Sequence, residues 1–236
     1  MSRKNRPTLQ PMISSLLKAL SQTFDPLFRA TALKGLISSM LLFGVIFGIV
    51  WSLLATTKFV NIFWLENILD ALGWFATALI TWIVFPAVTI AIVSLFLSEI
   101  AAKVESKHYP DLPEPRRQSV NESLRTGLKY MGLVLTLNLA ILPLYVALLF
   151  LPPVNIFVFI ALNGYLFGRE YFELVAYRRL SPQEAEGVWK SEKKNFIYAG
   201  GIITFLFSIP FINWFMPIVA TAFMLHVFEN RKGKKV

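Results

Sequence analysis

Two short apolar hairpins that follow one another constrain the fold of this chain more than any other feature of its sequence. The first hairpin is LFLPPVNIFVFIALNGYLFGREYFE, from Leu149 to Glu173, and the second is LFSIPFINWFMPIVATAFMLHVFE, from Leu206 to Glu229. Each contains an uncharged arm, a proline break, an asparagine among aromatic residues and a second apolar arm that ends in charge. The breaks and their asparagines are Pro152, Pro153 and Asn155 in the first hairpin, and Pro210 and Asn213 in the second.

The arms of these hairpins are short for a membrane span. Val154 to Gly168 has 15 residues and Phe196 to Ile209 has 14, so at 1.5 Å per residue they extend about 21–23 Å, against a hydrocarbon core of about 30 Å. Irregular backbone at a proline tip is tolerated in a membrane only where it is buried in protein or lines a wet cavity. We therefore predict two half-penetrating (re-entrant) helical hairpins. Their tips line a path for a polar solute and contain Pro153, Asn155, Pro210 and Asn213.

Composition indicates an integral membrane protein that is not an enzyme. Hydrophobic residues make up 56% of the chain and charged residues 16%, which is typical of membrane proteins. The chain has no cysteine, which excludes disulfides, thiolate metal sites and thiol catalysis, and His108 and His226 do not have the spacing of metal ligands. Because no catalytic triad, phosphate loop or metal cluster is found, we predict no catalytic residue, no metal and no cofactor.

A single all-α membrane domain is predicted for residues 1–236. It combines two long transmembrane helices with the two half-penetrating hairpins and an N-terminal amphipathic interfacial helix. The segments in order are the interfacial helix at 8–28, the first transmembrane helix at 35–57, the second at 71–107 with a kink at Pro86, hairpin 1 at 120–176, hairpin 2 at 182–228 and a basic tail at 229–236. Two helix starts have the spacing of a capping box, at Ser119 with Glu122 and at Ser181 with Glu184.

The interfacial helix is predicted from its amphipathic pattern. Met12, Ile13 and Leu17 share one apolar face at helical spacing, and Ser15 lies on the opposite, polar face. We expect this helix to lie along the membrane surface, with docking on a soluble partner as the alternative.

The basic residues predict the topology. All but one of the 23 Lys and Arg residues lie in residues 1–34, 99–129, 169–194 and 227–236, and the exception is Lys58. If the chain crosses twice and each hairpin returns to the side it left, these segments share one side, which the positive-inside rule places in the cytoplasm with both termini. Six complete spans give the same loop sides and remain the alternative. Since the net charge of +9 sits in short loops beside apolar segments, we predict no nucleic-acid binding.

The ordered set of motifs resembles one membrane family. SIPFINWFMPIVATAFMLHVFE, from Ser208 to Glu229, resembles the closing motif of the CysZ-type sulfate permeases, within the etoposide-induced autophagy-associated membrane family. Similarity continues through ALNGYLFGREYFELVAYRRL, from Ala161 to Leu180, and LPPVNIF, and covers most of residues 20–229 in order. The resemblance implies two long helices and two half-penetrating hairpins assembled as homo-oligomers in the bacterial inner membrane, and uptake of sulfate for cysteine synthesis.

The same resemblance selects candidate anion-binding residues. In CysZ-type proteins the sulfate site is a Gly-Leu/Ile-Arg-Arg run preceded by Pro at the start of the first long helix, and here the matching stretch is Pro26-Leu27-Phe28-Arg29-Ala30. Pro26 and Arg29 match, whereas Leu27 replaces the glycine and Ala30 replaces the second arginine. An anion site of this kind needs backbone N–H groups at a helix N-terminus and a guanidinium. Arg29 is therefore either an anion ligand or an anchor at the membrane interface.

Four asparagines lie within or at the tips of the apolar arms, where an unpaired amide is costly. They either line a pore or cap and link helices. These residues are Asn138, Asn155, Asn163 and Asn213.

Hairpin 1 leaves the apolar region in a charged stretch. Arg169 and Glu173 are four residues apart and are expected to pair. Glu170 and Glu173 are candidates for a proton relay, with a solvated helix end as the alternative because Arg178 and Arg179 follow closely. Gly44 and Gly48 have the GxxxG spacing that favours close helix packing.

Two functional hypotheses follow. The first is a transporter or channel for a small inorganic oxyanion, with the lipid bilayer and a sulfate-like anion as partners. The second is a membrane-structural or partner-binding protein of the same fold, favoured by the missing Gly and second Arg beside Arg29.

Overall fold

The computed structural model of the chain describes residues 9–23, 26–56, 75, 96–210 and 212–232, and regular secondary structure in these ranges is helical, without a strand. The predicted all-α class is therefore confirmed for the described part of the chain. The helices are α1 (Leu9–Thr23), α2 (Pro26–Thr56), α3 (96–108), α4 (Val120–Ala147), α5 (Pro152–Ala176), α6 (Pro182–Phe207) and α7 (Met216–Lys232), with a short 3₁₀ helix at Ile212–Trp214.

The chain divides into two compact units. The larger unit comprises Met1–Phe28 and Ile100–Val236, and the smaller unit comprises Arg29–Glu99. In the smaller unit, α2 carries exposed apolar side chains such as Met40 and Leu41, and a Cβ on Gly44 or Gly48 would meet no described atom within 4 Å. Helix α2 begins at Pro26, nine residues before the predicted first transmembrane helix, since a proline fits the first turn of a helix. The predicted kink at Pro86 lies outside the described residues.

Serine caps begin two helices of the larger unit. The capping box predicted at Ser181 is confirmed: the Ser181 N–H donates to Glu184 Oε2 over 2.8 Å, and the Glu184 N–H donates to Ser181 Oγ over 3.4 Å. The box predicted at Ser119 is half formed. Ser119 Oγ accepts from the Glu122 N–H, but the Glu122 carboxylate binds the guanidinium of Arg116 instead of returning to the cap.

Helices α5 and α6 pack directly through glycine. A Cβ added to Gly200 would overlap the carbonyl oxygen of Gly164 and lie 2.5 Å from the backbone nitrogen of Gly168. A Cβ on Gly168 would lie 2.6 Å from the carbonyl oxygen of Phe196. The Gly164-x-x-x-Gly168 spacing on α5 thus allows the close helix contact, and the close packing predicted at Gly44 and Gly48, within the chain or in an oligomer, stays a prediction.

Helix α7 forms the centre of the larger unit. It contacts α1, α5 and α6, and it is buried from Val219 to Phe228, where all residues but Thr221 and His226 are apolar. Phe172 of α5 contacts both neighbouring helices, since its ring centroid lies 4.5 Å from that of Phe196 in α6 and 6.0 Å from that of Phe228 in α7.

Helix α1 packs on α7. Met12, Ser15 and Ala19 are buried in this contact, and the Asn230 amide donates to Ser15 Oγ over 3.1 Å. The assignment of Ser15 to the polar face is therefore wrong. The face of α1 that packs on α7 is not the face that carries most of the apolar side chains. Ile13 and Leu17 of the predicted apolar face remain exposed.

Helix α4 is, among the described residues, the one helix long and apolar enough to cross a membrane. Its mean hydropathy is 1.8, and no residue of its apolar stretch is buried. Short connections at 148–151 and 177–181 make α4, α5 and α6 successive antiparallel helices.

Candidate functional site

The charged ends of α4, α5 and α6 meet at one end of the larger unit. Because the three helices alternate in direction, this end contains the start of α4, the end of α5 and the start of α6. The uncharged stretches begin at a similar level on each helix: α4 has no charged residue after Lys129, α5 has none before Arg169, and α6 has none after Lys194. The opposite end contains both proline tips.

A cleft lies between the three helices at the charged end. Its two adjoining parts have volumes of about 280 and 780 Å³. They share five lining residues, which are Thr126, Lys129, Arg169, Tyr177 and Glu186. The whole lining contains six cationic side chains, Arg116, Arg125, Lys129, Arg169, Lys190 and Lys193, and three carboxylates, Glu122, Glu173 and Glu186. The cleft therefore favours an anion.

Arg169 organises the floor of this cleft. Its guanidinium donates to Glu173 Oε1 over 2.5 Å and to Glu186 Oε2 over 2.8 Å, and it lies 5.0 Å from the centre of the Trp189 ring. The predicted Arg169–Glu173 pair is confirmed. The alternative of a solvated helix end is wrong for Arg169, which is buried, because α6 folds back over it and supplies Glu186 and Trp189.

The charge of Arg169 also acts on Glu186. Partial burial acts to raise the pKa of Glu186, but the hydrogen bond and charge of Arg169, together with Lys190 and Lys129, outweigh it and lower the pKa below its usual value. Glu186 is therefore ionised near neutral pH. The two carboxylates that bind Arg169 neutralise it, and the anion-attracting charge of the cleft comes from other residues.

Glu170 and Glu173, the two residues of the predicted proton relay, occupy different surroundings. The Tyr130 hydroxyl lies 3.2 Å from Glu170 Oε2 and 3.1 Å from the carbonyl oxygen of Leu166. Glu173 is bound by Arg169. The relay remains a prediction.

A second ionic cluster joins α3 to the turn after α5. Glu105 accepts from Arg178 Nε and Nη2 over 2.9 and 2.7 Å, and its Oε2 lies 2.8 Å from Arg179 Nη2. All three side chains are almost completely covered, with exposed fractions of 8, 12 and 5%. The cluster holds α3 against the turn after α5, and none of its residues lines the cleft.

The two histidines, far apart in sequence, lie together at the end of α3. The ring centroids of His108 and His226 are 5.2 Å apart, and the Tyr109 hydroxyl lies 2.8 Å from His226 Nδ1. Burial, followed by the charge of Glu229, raises the pKa of Tyr109 to about 12. Among the described residues, no group of three potential metal ligands forms.

The backbone N–H groups at the two hairpin tips form different hydrogen bonds. At the first tip, Pro152 and Pro153 have no N–H group, and the N–H groups of Val154 and Asn155 both donate to the Leu151 carbonyl, over 3.0 and 3.1 Å. Asn155 is half-buried, and its side-chain oxygen is buried without a hydrogen-bond partner.

At the second tip, the exposed residue Pro210 precedes the 3₁₀ helix and the exposed residue Asn213 lies within it, where the Asn213 N–H donates to the Ile209 carbonyl over 3.2 Å. The other two asparagines of the apolar arms support the structural interpretation, because each amide bonds within its own helix. Asn138 donates to the Val134 carbonyl and Asn163 to the Phe159 carbonyl.

Pro26 and Arg29 lie in the first turn of α2. Pro26 is exposed, and the side chain of Arg29 is outside the part of the chain that the structure describes. The first turn of α2 carries no acidic residue, and N–H groups at a helix N-terminus attract anions.

The cleft cations were missed as site residues, since the sequence interpretation used them only as topology signals. Arg125 and Lys129 are four residues apart, and Lys190 and Lys193 are three apart, so each pair lies on one helix face. That spacing was the available signal. The two faces lie together only because the chain turns back between α5 and α6, and no short stretch of sequence predicts that contact.

The sequence matches one known protein family over most of its length. The family model described as "Sulfate transporter CysZ/Etoposide-induced protein 2.4" matches residues 15–217. The matched region includes Pro26, Arg29, the first hairpin and the tip of the second. Among curated proteins, none matches this sequence.

Proposed function

The chain belongs to the sulfate transporter CysZ/etoposide-induced protein 2.4 family, and from this premise we propose that it conducts a small oxyanion, sulfate first, across a membrane. The observation that carries the proposal is the match over residues 15–217 to a transporter-type family. The exposed apolar helix α4 and the cationic cleft at its charged end are consistent with it.

The proposed architecture has two long spanning helices, 35–57 and 71–107, and two half-penetrating hairpins. The first tip supports the hairpin proposal, because its N–H groups are either absent or bonded to the Leu151 carbonyl, as a break in an apolar medium requires. We place the protein in a bacterial inner membrane as a homo-oligomer with both termini in the cytoplasm.

The proposed anion contact is at the start of α2. The N–H groups of the first turn have no partner within the helix, and Arg29 lies in that turn beside Pro26. Helix N-termini attract anions through these groups and the helix dipole. The cationic end of the larger unit concentrates anions, and Pro153, Asn155, Pro210 and Asn213 line the narrow polar part of the path.

Arg29→Ala is expected to weaken oxyanion binding by roughly 10- to 150-fold, because it removes a charge-assisted contact of about 1.5–3 kcal/mol. Arg29→Lys should retain only part of the oxyanion affinity, since an ammonium lacks the bidentate fork of a guanidinium. The measurement is uptake of labelled sulfate into liposomes that contain the purified protein, together with sulfate binding. Leu27→Gly combined with Ala30→Arg, which restores the family pattern, should strengthen binding.

Two results of this assay would count against the proposal. Flux no higher than in empty liposomes, for sulfate and related oxyanions alike, would leave the membrane-structural function that Leu27 and Ala30 favour. Flux that is indifferent to all of these variants in folded protein would make Arg29 an interfacial anchor.

The hairpins predict a labelling pattern. Cysteines introduced at Val154 and Phe211 should not react with an impermeant thiol reagent from the periplasmic side, because both tips end within the membrane. A cysteine at Phe63 should react from that side and serves as the positive control. Strong periplasmic labelling at both tips would indicate six complete spans.

A further inference from the structure

Four cations of the cleft have no full counter-charge. Glu122 binds Arg116, and Glu173 and Glu186 both bind Arg169. These pairs use all three carboxylates of the lining. Arg125 and Lys129 form no ion pair with a described residue, Lys190 lies 3.7 Å from the already bound Glu186, and Lys193 lies over the Tyr165 ring at 5.3 Å.

These cations lie where the uncharged part of α4 begins. Lys129 is the last charged residue of α4, and Tyr130 and Leu133 extend the cleft lining one turn into the apolar stretch. Beyond them α4 continues without charge to Ala147. The exposed surface of α4 above Lys129 is formed, at helical spacing, by the uncharged residues Thr136, Ala140, Pro143 and Leu144.

A ligand that matches both surfaces must be amphipathic. Its anionic group would contact the four cations, and its apolar part would lie along α4. Clusters of Lys and Arg beside a membrane helix attract anionic lipid headgroups, with about 1 kcal/mol from each cation.

We propose that the cleft between α4, α5 and α6 binds the phosphate headgroup of an anionic phospholipid, with its acyl chains along the exposed side of α4. Arg125 and Lys129 contact the phosphate from α4, and Lys190 and Lys193 contact it from α6. The Arg169–Glu173–Glu186 network forms the floor and holds α5 against α6. This site is separate from the transport contact proposed at Arg29 and does not depend on it.

The test is native mass spectrometry of the detergent-purified full-length chain, titrated with dioleoylphosphatidylglycerol or with dioleoylphosphatidylcholine. The phosphatidylglycerol should be retained in preference to the zwitterionic lipid. Loss of two cations in Arg125→Gln/Lys129→Gln, or in Lys190→Gln/Lys193→Gln, should weaken its retention by about 30-fold. Size-exclusion elution and circular dichroism establish that each variant is folded.

The matched control is Arg117→Gln/Lys194→Gln. These residues are exposed, are sequence neighbours of Arg116 and Lys193, and lie outside the lining, so the variant removes the same charge and should retain the lipid. Equal retention of both lipids, or an equal loss in the control variant, would overturn the proposal. Displacement of the lipid by inorganic phosphate at the same concentration would assign the cleft to a free oxyanion instead.

Discussion

Gly200→Ala is expected to destabilise the larger unit by about 3 kcal/mol, the upper end of the usual range for overpacking. The added methyl group would overlap the carbonyl oxygen of Gly164 and lie 2.5 Å from the backbone nitrogen of Gly168. Both obstacles are backbone atoms, so no side-chain rotation can relieve the clash, and α5 and α6 must move apart. Thermal unfolding of the purified protein, followed by circular dichroism, measures the effect.

Gly201→Ala is the control for this experiment. The residue is next in sequence, and a Cβ there meets nothing within 4 Å, so the same methyl group is added without a clash. Because alanine is the better helix former by about 1 kcal/mol, Gly201→Ala should be neutral or stabilising. If the two variants unfold at the same temperature, the close contact of α5 with α6 is wrong.

Glu105→Gln is expected to cost about 3–5 kcal/mol of stability, the range for removing one partner of a buried ion pair. The substitution keeps the shape of the side chain but removes the negative charge that Arg178 and Arg179, which are 12 and 5% exposed, both bind. Part of the Arg179 guanidinium already has no hydrogen-bond partner, since its Nε and Nη1 are buried and unpaired. The free energy of unfolding in denaturant measures the loss.

Glu114→Gln provides the comparison for Glu105. Glu114 is exposed in the segment between α3 and α4, and it forms no ion pair with a described residue. Its replacement should change the free energy of unfolding by less than about 0.5 kcal/mol. A Glu105 variant as stable as the Glu114 variant would show that this cluster does not hold α3 to the turn after α5.

Local patterns in the sequence predicted local structure well. The Ser181 capping box and the Arg169–Glu173 pair each depend on residues three or four positions apart, where helix geometry alone determines the contact. The half-formed box at Ser119 shows the limit of such patterns. Glu122 has the right spacing, but Arg116 offers its carboxylate a charged partner that the capping pattern does not consider.

Contacts between distant segments could not be predicted from one sequence. Glu105 and Arg178 are 73 residues apart, and nothing near either residue indicates its partner. Arg169 had been expected to lie near solvent, but Glu186 and Trp189 cover it after the chain turns back at Ser181. The cleft could not be predicted for the same reason, because its cations come from α4 and α6, which only the fold brings together.

The central position of α7 has a consequence for biosynthesis. Helix α7 is synthesised after α1, α5 and α6, which it contacts, and the Ser15–Asn230 hydrogen bond joins residues 215 positions apart. During translation, Met12 and Ala19 of α1 therefore remain uncovered until α7 has been synthesised. Contacts of such long sequence separation form slowly, and exposed apolar surface favours aggregation in the meantime. Early membrane insertion of α4 would hold the nascent chain in place until α7 completes the core.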